Sequence, residues 1–174
     1  MRDNDFETLK KATGGKGKVV SIILVSIVVL MGVFMFFRKA TDHRGELRYA
    51  LESRDAFRLE QLLKDHPKLV DAELPNRSPT DTWTPLHMAA CYGDNQSIEI
   101  LLRHKAKVNA RDANGLTPLH YTVALSRYNS AQLLINKGAD MNAKGRDGRS
   151  PLELAKTTRD QRMIQLFRVR GAKE

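Results

Sequence analysis

A short motif recurs along this chain at a constant interval. Residues 84–90 are Thr-Pro-Leu-His-Met-Ala-Ala, residues 117–123 are Thr-Pro-Leu-His-Tyr-Thr-Val, and residues 150–155 keep the outline as Ser-Pro-Leu-Glu-Leu-Ala. The starts of these motifs lie 33 residues apart both times. A period of this size is typical of a solenoid, in which each unit packs against its neighbours, and it argues against one closed globule.

Each motif also predicts the start of a helix. A hydroxyl residue at the N-cap accepts hydrogen bonds from free backbone amides, and proline at the first helical position has a suitable φ. A second helix follows in each unit, because apolar residues recur there at helical spacing. The equivalent positions, apolar except for the last, are Ile98, Leu101 and Leu102, then Ala131, Leu134 and Ile135, then Ile164, Phe167 and Arg168.

A degenerate unit precedes the three clear ones. Leu47, Ala50, Leu59, Leu62 and Leu63 stand 39 residues before their counterparts in the next unit. The six additional residues fall mostly between positions 71 and 83. Gly45-Glu46 replaces Thr-Pro, as is common in a terminal repeat.

On these motifs the sequence resembles the ankyrin repeat family. The pairs Val108-Asn109 and Met141-Asn142 match the family's Val-Asn-Ala turn. The resemblance implies an all-α fold, an ankyrin solenoid of about four helix-turn-helix repeats with hairpin loops over residues 45–174. The predicted units are about 45–81, 82–114, 115–147 and 148–174.

The turns between helices depart from the family pattern. Gly93 occupies the usual inter-helix glycine position, whereas the equivalent residues are Arg54, Ser126 and Arg159. Lys105 likewise replaces the glycine found at Gly138. These substitutions affect the expected geometry of the turns and leave the fold prediction unchanged. His87 and His120 recur with the repeat, and the resemblance implies that they hydrogen-bond between neighbouring turns, with Glu153 in that place in the last unit.

An apolar run before the repeats predicts one transmembrane helix. Residues 19–37 contain no charged side chain, and such a helix is about 28 Å long, close to the thickness of the hydrocarbon layer. A buried core helix is disfavoured because a repeat stack offers no site for it, and a cleaved signal peptide because the run is long. Residues 1–18 are then a basic, flexible tail and residues 38–44 a juxtamembrane linker.

The sequence predicts an integral membrane, single-pass chain, but the basic residues on the two sides of the apolar run are nearly equal in number. Five Lys or Arg residues precede the run, and Arg38, Lys39, Arg44 and Arg48 follow it. The positive-inside rule therefore favours only slightly a cytosolic N-terminus and leaves the side of the repeats open. The single cysteine, Cys91, is compatible with either compartment. Arg38, Lys39 and Arg44 are candidates for a weak contact with anionic lipid.

Composition and motifs argue against several other functions. The formal charge is +9, but the basic residues are scattered and lack the aromatic interleaving of RNA-binding proteins, so no nucleic-acid partner is predicted. Residues 14–18 lack the spacing of a phosphate-binding loop. No catalytic grouping or metal-ligand cluster is recognisable. The expected protein is therefore not an enzyme and needs no cofactor or metal.

The resemblance places partner binding on the concave face and the hairpin tips, where family members vary. The corresponding residues are Asp81, Trp83, Met88, Cys91 and Tyr92, then Asn114, Leu116, Tyr121, Ala124 and Leu125, then Arg146, Asp147 and Arg149. Trp83 is the only tryptophan and has two interpretations: an exposed anchor for a partner, or a cover over Leu74 and Pro75. Partial exposure is expected for Tyr92 and Tyr121.

The sequence thus predicts a membrane-tethered scaffold or adaptor for a protein partner at or near the membrane. The alternative is a small structural or regulatory subunit that assembles through its transmembrane helix. Ser21, Ser26 and Gly32 lie in the run, but no Gly-x-x-x-Gly pair favours close helix packing there. Comparing the oligomeric state of the full chain with that of residues 40–174 separates the two hypotheses.

Overall fold

The repeat region folds into consecutive helix pairs. The structure is a computed structural model that describes residues 43–75 and 82–171. These ranges contain eight α-helices. The helices are α1 (Arg44–Glu52), α2 (Ala56–Asp65), α3 (Pro85–Tyr92), α4 (Asn95–Arg103), α5 (Pro118–Ala124), α6 (Tyr128–Asn136), α7 (Pro151–Thr157) and α8 (Gln161–Val169). Odd-numbered helices are the first helices of the repeats, and even-numbered ones are the second helices.

Three first helices begin with the predicted capping motif. Thr84, Thr117 and Ser150 are the N-caps of α3, α5 and α7, and each is followed by proline at the first helical position. In each case the N-cap side chain accepts from the third helical amide, and the side chain of that third residue accepts from the N-cap amide. Two amides that a helix start leaves unpaired are thereby satisfied.

The second helices begin differently. Asp55, Asp94 and Asp160 are the N-caps of α2, α4 and α8, and their carboxylates accept from amides in the first turn. The distance from Asp55 Oδ1 to the Arg58 amide, for example, is 2.9 Å. The equivalent position before α6 is Arg127, whose side chain makes no cap hydrogen bond. One of the four repeats therefore has a cation where the other three have a capping carboxylate.

Like helices stack from repeat to repeat and enclose one continuous core. Helix α3 packs against α1 and α5, α5 against α7, α4 against α2 and α6, and α6 against α8. The apolar positions of the degenerate first unit are buried as predicted: Leu47, Ala50, Leu59 and Leu63 are each 0% exposed. The last unit contributes Leu152 and Phe167 to the same core. Four helix pairs thus take part in one stack.

Within residues 43–75 and 82–171, four turn residues other than glycine adopt the left-handed backbone conformation. They are Arg54 (φ 55°), Lys105 (φ 71°), Ser126 (φ 53°) and Arg159 (φ 56°). Their equivalents Gly93 and Gly138 have φ values of 69° and 88°. The turns therefore keep the geometry of the repeat despite the substitutions, at a cost of about 1 kcal/mol for each side chain held in this region.

The first repeat joins the second through an elaborate connection. A 3-10 helix at Pro67–Asp71 is followed by β1 (Leu74–Pro75), which pairs antiparallel with β2 (Thr82–Trp83). Leu74 stands opposite Trp83 in this pairing and is 1% exposed. The additional residues noted in the sequence fall here, and they add a two-stranded ladder to an otherwise helical fold.

Within the described ranges, no helix has both the length and the apolar character needed to cross a membrane. The predicted transmembrane helix at 19–37, the tail at 1–18 and most of the linker at 38–44 lie outside those ranges. Arg38 and Lys39 are likewise outside, and Arg44 is an exposed residue at the start of α1.

Candidate partner-binding surface

A buried histidine ties the second repeat to the third. His87 is 0% exposed, and its Nδ1 accepts a hydrogen bond of 3.2 Å from the Thr84 amide. Its Nε2 lies 3.1 Å from the carbonyl oxygen of Leu116. Because a carbonyl can only accept, Nε2 must carry the proton and His87 is the neutral tautomer. Burial lowers the pKa of His87, which agrees with this assignment.

The same bridge recurs one repeat later. His120 accepts from the Thr117 amide at 3.1 Å, and its Nε2 lies 3.3 Å from the carbonyl oxygen of Arg149. Burial also lowers the pKa of His120. In the last unit Glu153 replaces histidine and accepts from the Ser150 amide at 2.6 Å, which keeps the local half of the motif. These structural roles are the ones that the resemblance implied.

The histidine bridges end on two hairpin tips, residues 111–116 and 144–149, which are hydrogen-bonded to each other. The Arg146 amide donates to the Asn114 carbonyl at 2.9 Å. Arg111 Nη1 donates to the carbonyls of Gly115 and Lys144, at 3.0 and 2.7 Å. Gly145 permits this approach, since a Cβ there would lie 2.7 Å from a Leu116 methyl carbon. The tips therefore form one ordered strip instead of two independent loops.

Trp83 and Tyr121 form an aromatic pair beside the tips. Their ring centroids are 4.7 Å apart in an edge-to-face arrangement with an interplanar angle of 61°. Tyr121 donates its hydroxyl to Asp112 Oδ2 at 2.5 Å, and Asp112 Oδ1 also accepts from the Leu116 amide at 2.8 Å. The tyrosine ring is thus fixed by the first tip. Both aromatic residues are partly exposed.

The two interpretations of Trp83 each describe part of its environment. Its backbone belongs to the ladder opposite Leu74, as expected for a residue that covers the connection. Its ring also packs on Tyr121 of the next repeat and keeps a solvent-accessible part. Among the described residues, Trp83 Nε1 is the one buried side-chain polar atom without a hydrogen-bond partner.

The remaining candidates on α3 differ in accessibility. Met88 is only 3% exposed and belongs to the core, so a partner cannot contact it on this surface. It is buried because the odd-numbered helices pack on both sides of α3. Cys91 and Tyr92 are partly exposed at the end of the helix. The Tyr92 carbonyl accepts from Arg54 Nη2 at 3.0 Å, so this end of α3 adjoins the first repeat.

The candidates further along the stack are accessible. Ala124 is exposed and Leu125 is 43% exposed at the end of α5. On the tips, Asn114, Arg146, Asp147 and Arg149 are exposed and Leu116 is partly buried. The amide and guanidinium of Arg149 both bind Asp147 and lower the pKa of its carboxyl group. Asp81 lies outside the described residues.

Sequence reasoning missed residues that organise this surface. Arg111 joins the two tips, and Asp112 orients Tyr121. A signal for Asp112 was present, because Asp-x-x-Gly at 112–115 is typical of a turn in which the carboxylate binds amides two residues on.

The stacked helix pairs, shared core and joined tips define the class of protein as an α-helical repeat solenoid. A family comparison matches residues 47–145 to ankyrin repeats, described as three copies. The match covers more than half of the chain, and the protein belongs to the ankyrin repeat family. The fourth helix pair, α7 and α8, follows the matched residues and has the same capping and packing.

Membership in this family indicates a protein–protein interaction module, since ankyrin repeats generally act by recognition and not by catalysis. Within residues 43–75 and 82–171, no group of three or more His, Cys, Asp or Glu side chains is arranged to hold a metal ion. The surface described above instead offers aromatic rings, a partly exposed aliphatic side chain and charged tips.

Proposed function

We propose that this chain is a membrane-tethered scaffold that binds a protein partner through the tips and the exposed ends of its first helices. The observation that carries the proposal is the Trp83–Tyr121 pair beside the joined tips. Aromatic side chains contribute strongly to interfaces because they offer a large contact area at a small entropic cost. Here Tyr121 is held by Asp112, so little side-chain freedom remains to be lost on binding.

The surface combines this apolar centre with charged surroundings. Leu125 extends the apolar area from α5, while Arg146, Asp147 and Arg149 provide both signs of charge on the second tip. An apolar centre within a polar rim is the usual arrangement of a protein interface. We therefore assign the partner-binding role to the accessible candidates, without Met88, whose side chain is buried.

Membrane tethering is supported by the sequence of residues 19–37, which has no charge and basic residues on both sides. Only a short segment separates this run from α1 at Arg44, and seven extended residues reach at most about 25 Å. A partner of the repeats is then at or near the membrane. We place the N-terminus in the cytosol on the slight excess of basic residues before the run.

Photo-crosslinking in intact cells tests the binding surface. A benzoylphenylalanine in place of Asn114 or Leu125 should give a discrete crosslinked product with a partner. The same replacement at Phe57, which is 76% exposed on α2, is the matched control and should not give that product. Combining the probe with Trp83→Ala and Tyr121→Ala should remove the product while the circular dichroism spectrum remains helical. Crosslinking that survives both substitutions would show that the face is wrongly assigned.

A separate experiment tests the tether. Full-length chain should stay with the membrane fraction after carbonate extraction, whereas residues 40–174 should be released. Protease treatment of intact and permeabilised cells, following a tag after Glu174, then reports the side on which the repeats lie. Release of the full-length chain by carbonate would refute the tether and leave the binding surface as a separate proposal.

A further inference from the structure

A groove runs along the second helices of the last two repeats, away from the tips. It consists of two cavities of about 280 and 360 Å³ that share Tyr128 of α6 and Arg162 of α8 in their linings. One cavity extends to Arg127 and the other to Val169 and Arg170. We call this feature the outer groove. It adjoins the proposed partner-binding surface at one end, because Arg127 Nε donates to the Cys91 carbonyl at 3.3 Å, and its proposed role goes beyond the scaffold function.

The charged groups that line the outer groove are all cationic. They are Arg127, Arg162 and Arg170, and no Asp or Glu side chain is among the described residues that line either cavity. Arg162 lies over the ring of Tyr128, with its guanidinium carbon 3.9 Å from the ring centroid. Arg170 donates to the Asn136 side chain. These contacts position the guanidinium groups while the residues stay exposed.

The formal charge of the repeats also becomes more positive toward the end of the stack that contains the outer groove. Between positions 45 and 81 the sequence has six Lys and Arg residues against eight Asp and Glu. Between positions 148 and 174 it has seven Lys and Arg residues against three Asp and Glu. The formal charge therefore changes from −2 in the first repeat to +4 in the last. An anionic partner is attracted to the end of the stack that contains the outer groove.

The residue before α6 makes the outer groove more positively charged. The three other second helices begin at Asp55, Asp94 and Asp160, whereas Arg127 stands before α6. The substitution removes a carboxylate from the edge of the outer groove and adds a guanidinium there. It makes the groove more cationic than a regular repeat would be, although an aspartate would favour the helix.

An aliphatic patch closes the far end of the outer groove. Val169 is 71% exposed, and Leu166 lies beside it in the lining at 6% exposure. A large exposed valine between arginines suits an occupant with both negative charge and an apolar side chain. The face of Tyr128 is covered by Arg162, so it is not free to stack on a nucleic-acid base.

We propose that the outer groove binds an acidic, extended segment of a protein, with an aliphatic side chain seated on Val169 and carboxylates on Arg162, Arg170 and Arg127. Arg162 and Arg170 are eight residues apart, which corresponds to about 12 Å along a helix. About four residues of an extended chain cover that distance. The occupant is thus a short stretch in which Glu or Asp residues flank a Leu, Ile or Val.

Fluorescence anisotropy with the full 174-residue chain in nonionic detergent tests this proposal. The probe is the fluorescein-labelled peptide Ser-Glu-Glu-Leu-Glu-Glu-Ser, which should bind with an affinity that falls as salt is added. A peptide with Gln at every Glu position should bind at least about tenfold more weakly, and one with Ser in place of Leu about threefold more weakly. Absence of binding by the first peptide at low salt would overturn the proposal.

Charge substitutions locate the site. Arg162→Glu should weaken binding by at least about tenfold. Arg159→Glu makes the same change of net charge in the same repeat, outside the cavity linings, and should leave most of the affinity. Equal losses in the two variants would mean that the peptide responds to overall charge and that no groove site exists.

Arg127→Asp separates binding from folding. It removes the exposed hydrogen bond from Arg127 to the Cys91 carbonyl but restores the carboxylate cap before α6. It should therefore weaken binding of the peptide without lowering the midpoint of thermal unfolding. A fluorescein-labelled oligouridylate serves as the nucleic-acid probe and should bind more weakly than the Glu-Leu peptide. If it binds more tightly and also loses affinity with Arg162→Glu, the groove is a nucleic-acid site and the peptide proposal is wrong.

Discussion

Polar bridges join neighbouring repeats both on the tip side of this solenoid and on the side formed by the second helices, which we call the outer side. The histidine bridges of the first and the arginine bridges of the second differ in burial. On the tip side, His87 and His120 are 0% and 1% exposed and each reaches a carbonyl of the next repeat. On the outer side, Arg103 reaches Glu60 at 3.1 Å and Arg170 reaches Asn136, and both arginines are exposed. Bridges of similar length therefore differ in how much they contribute to stability.

Buried and exposed bridges differ in stability because water can replace a lost partner only at an exposed group. A buried carbonyl or amide that loses its partner has no water to bond, and the full desolvation cost remains. An exposed arginine or carboxylate is solvated again at once, so its removal costs little. The buried histidine bridges should hence contribute more to the stability of the stack than the exposed arginine bridges.

The largest effect is expected for a buried bridge. His87→Ala leaves the Thr84 amide without its acceptor, removes one of the two hydrogen bonds to the Leu116 carbonyl and opens a cavity in the stack. We expect a loss of about 2–4 kcal/mol in the free energy of unfolding, measured by urea denaturation. A loss below about 1 kcal/mol would be no larger than the contribution of an exposed ion pair, and it would contradict the proposed difference between buried and exposed bridges.

Acid should weaken the tip side selectively. Burial lowers the pKa of His87 and of His120 below the value of 6.5 for the unfolded chain. The folded state therefore binds fewer protons than the unfolded state as pH falls below 6.5, and the stability that is fully present above this pH is lost. The slope is up to about 1.4 kcal/mol per pH unit for each histidine.

Replacing both residues by glutamine provides the control for the acid effect. Glutamine does not titrate, so urea denaturation between pH 7 and pH 5 should show a flatter profile in His87→Gln/His120→Gln than in the wild type. An unchanged slope would assign the acid sensitivity to groups other than these two histidines.

Relief of backbone strain should produce a smaller, stabilising change on the outer side. Lys105 has a φ of 71°, where its counterpart is Gly138, so Lys105→Gly is expected to stabilise the fold by about 1 kcal/mol. Arg54→Gly relieves the same strain but also removes the bond to the Tyr92 carbonyl. The difference between the two variants in urea denaturation measures that exposed bridge; destabilisation by Lys105→Gly would contradict the strain argument.

The smallest effect is expected for an exposed ion pair. Arg103→Ala removes the contact with Glu60, and the side chain of Arg103 is 63% exposed. The free energy of unfolding of this variant should differ from that of the wild type by less than about 0.5 kcal/mol. Raising the salt concentration should leave the difference between variant and wild type near zero, and a loss comparable to that of His87→Ala would show that exposed bridges also hold the stack.

The helices and their caps could be predicted because their causes are local. Thr-Pro at 84–85 and 117–118 specifies a helix start within four residues, and the 33-residue period places equivalent side chains in equivalent environments. The left-handed turns at Arg54, Ser126 and Arg159 follow from the same period, since the backbone conformation of Gly93 recurs even where glycine does not.

The details of the candidate surface depend on contacts between repeats, and sequence spacing did not reveal them. Met88 was predicted to be accessible, but its depth in the core depends on how α1 and α5 flank α3. The bond from Arg111 to Lys144 depends on a side-chain rotamer and on the close approach at Gly145. Such contacts arise only after the units are stacked.

The two histidine bridges have the same reach, 29 residues in each case. Each therefore depends only on the unit that follows it, whichever copy that unit is. A complete repeat of 33 residues inserted between Leu116 and Thr117 would leave the Leu116 carbonyl within reach of His87. The inserted unit would bring its own histidine and its own last carbonyl, so we expect every connection to close again. The molecule can in this sense change length in whole steps, and an interface on its tips can be extended by duplication without redesign of its interior.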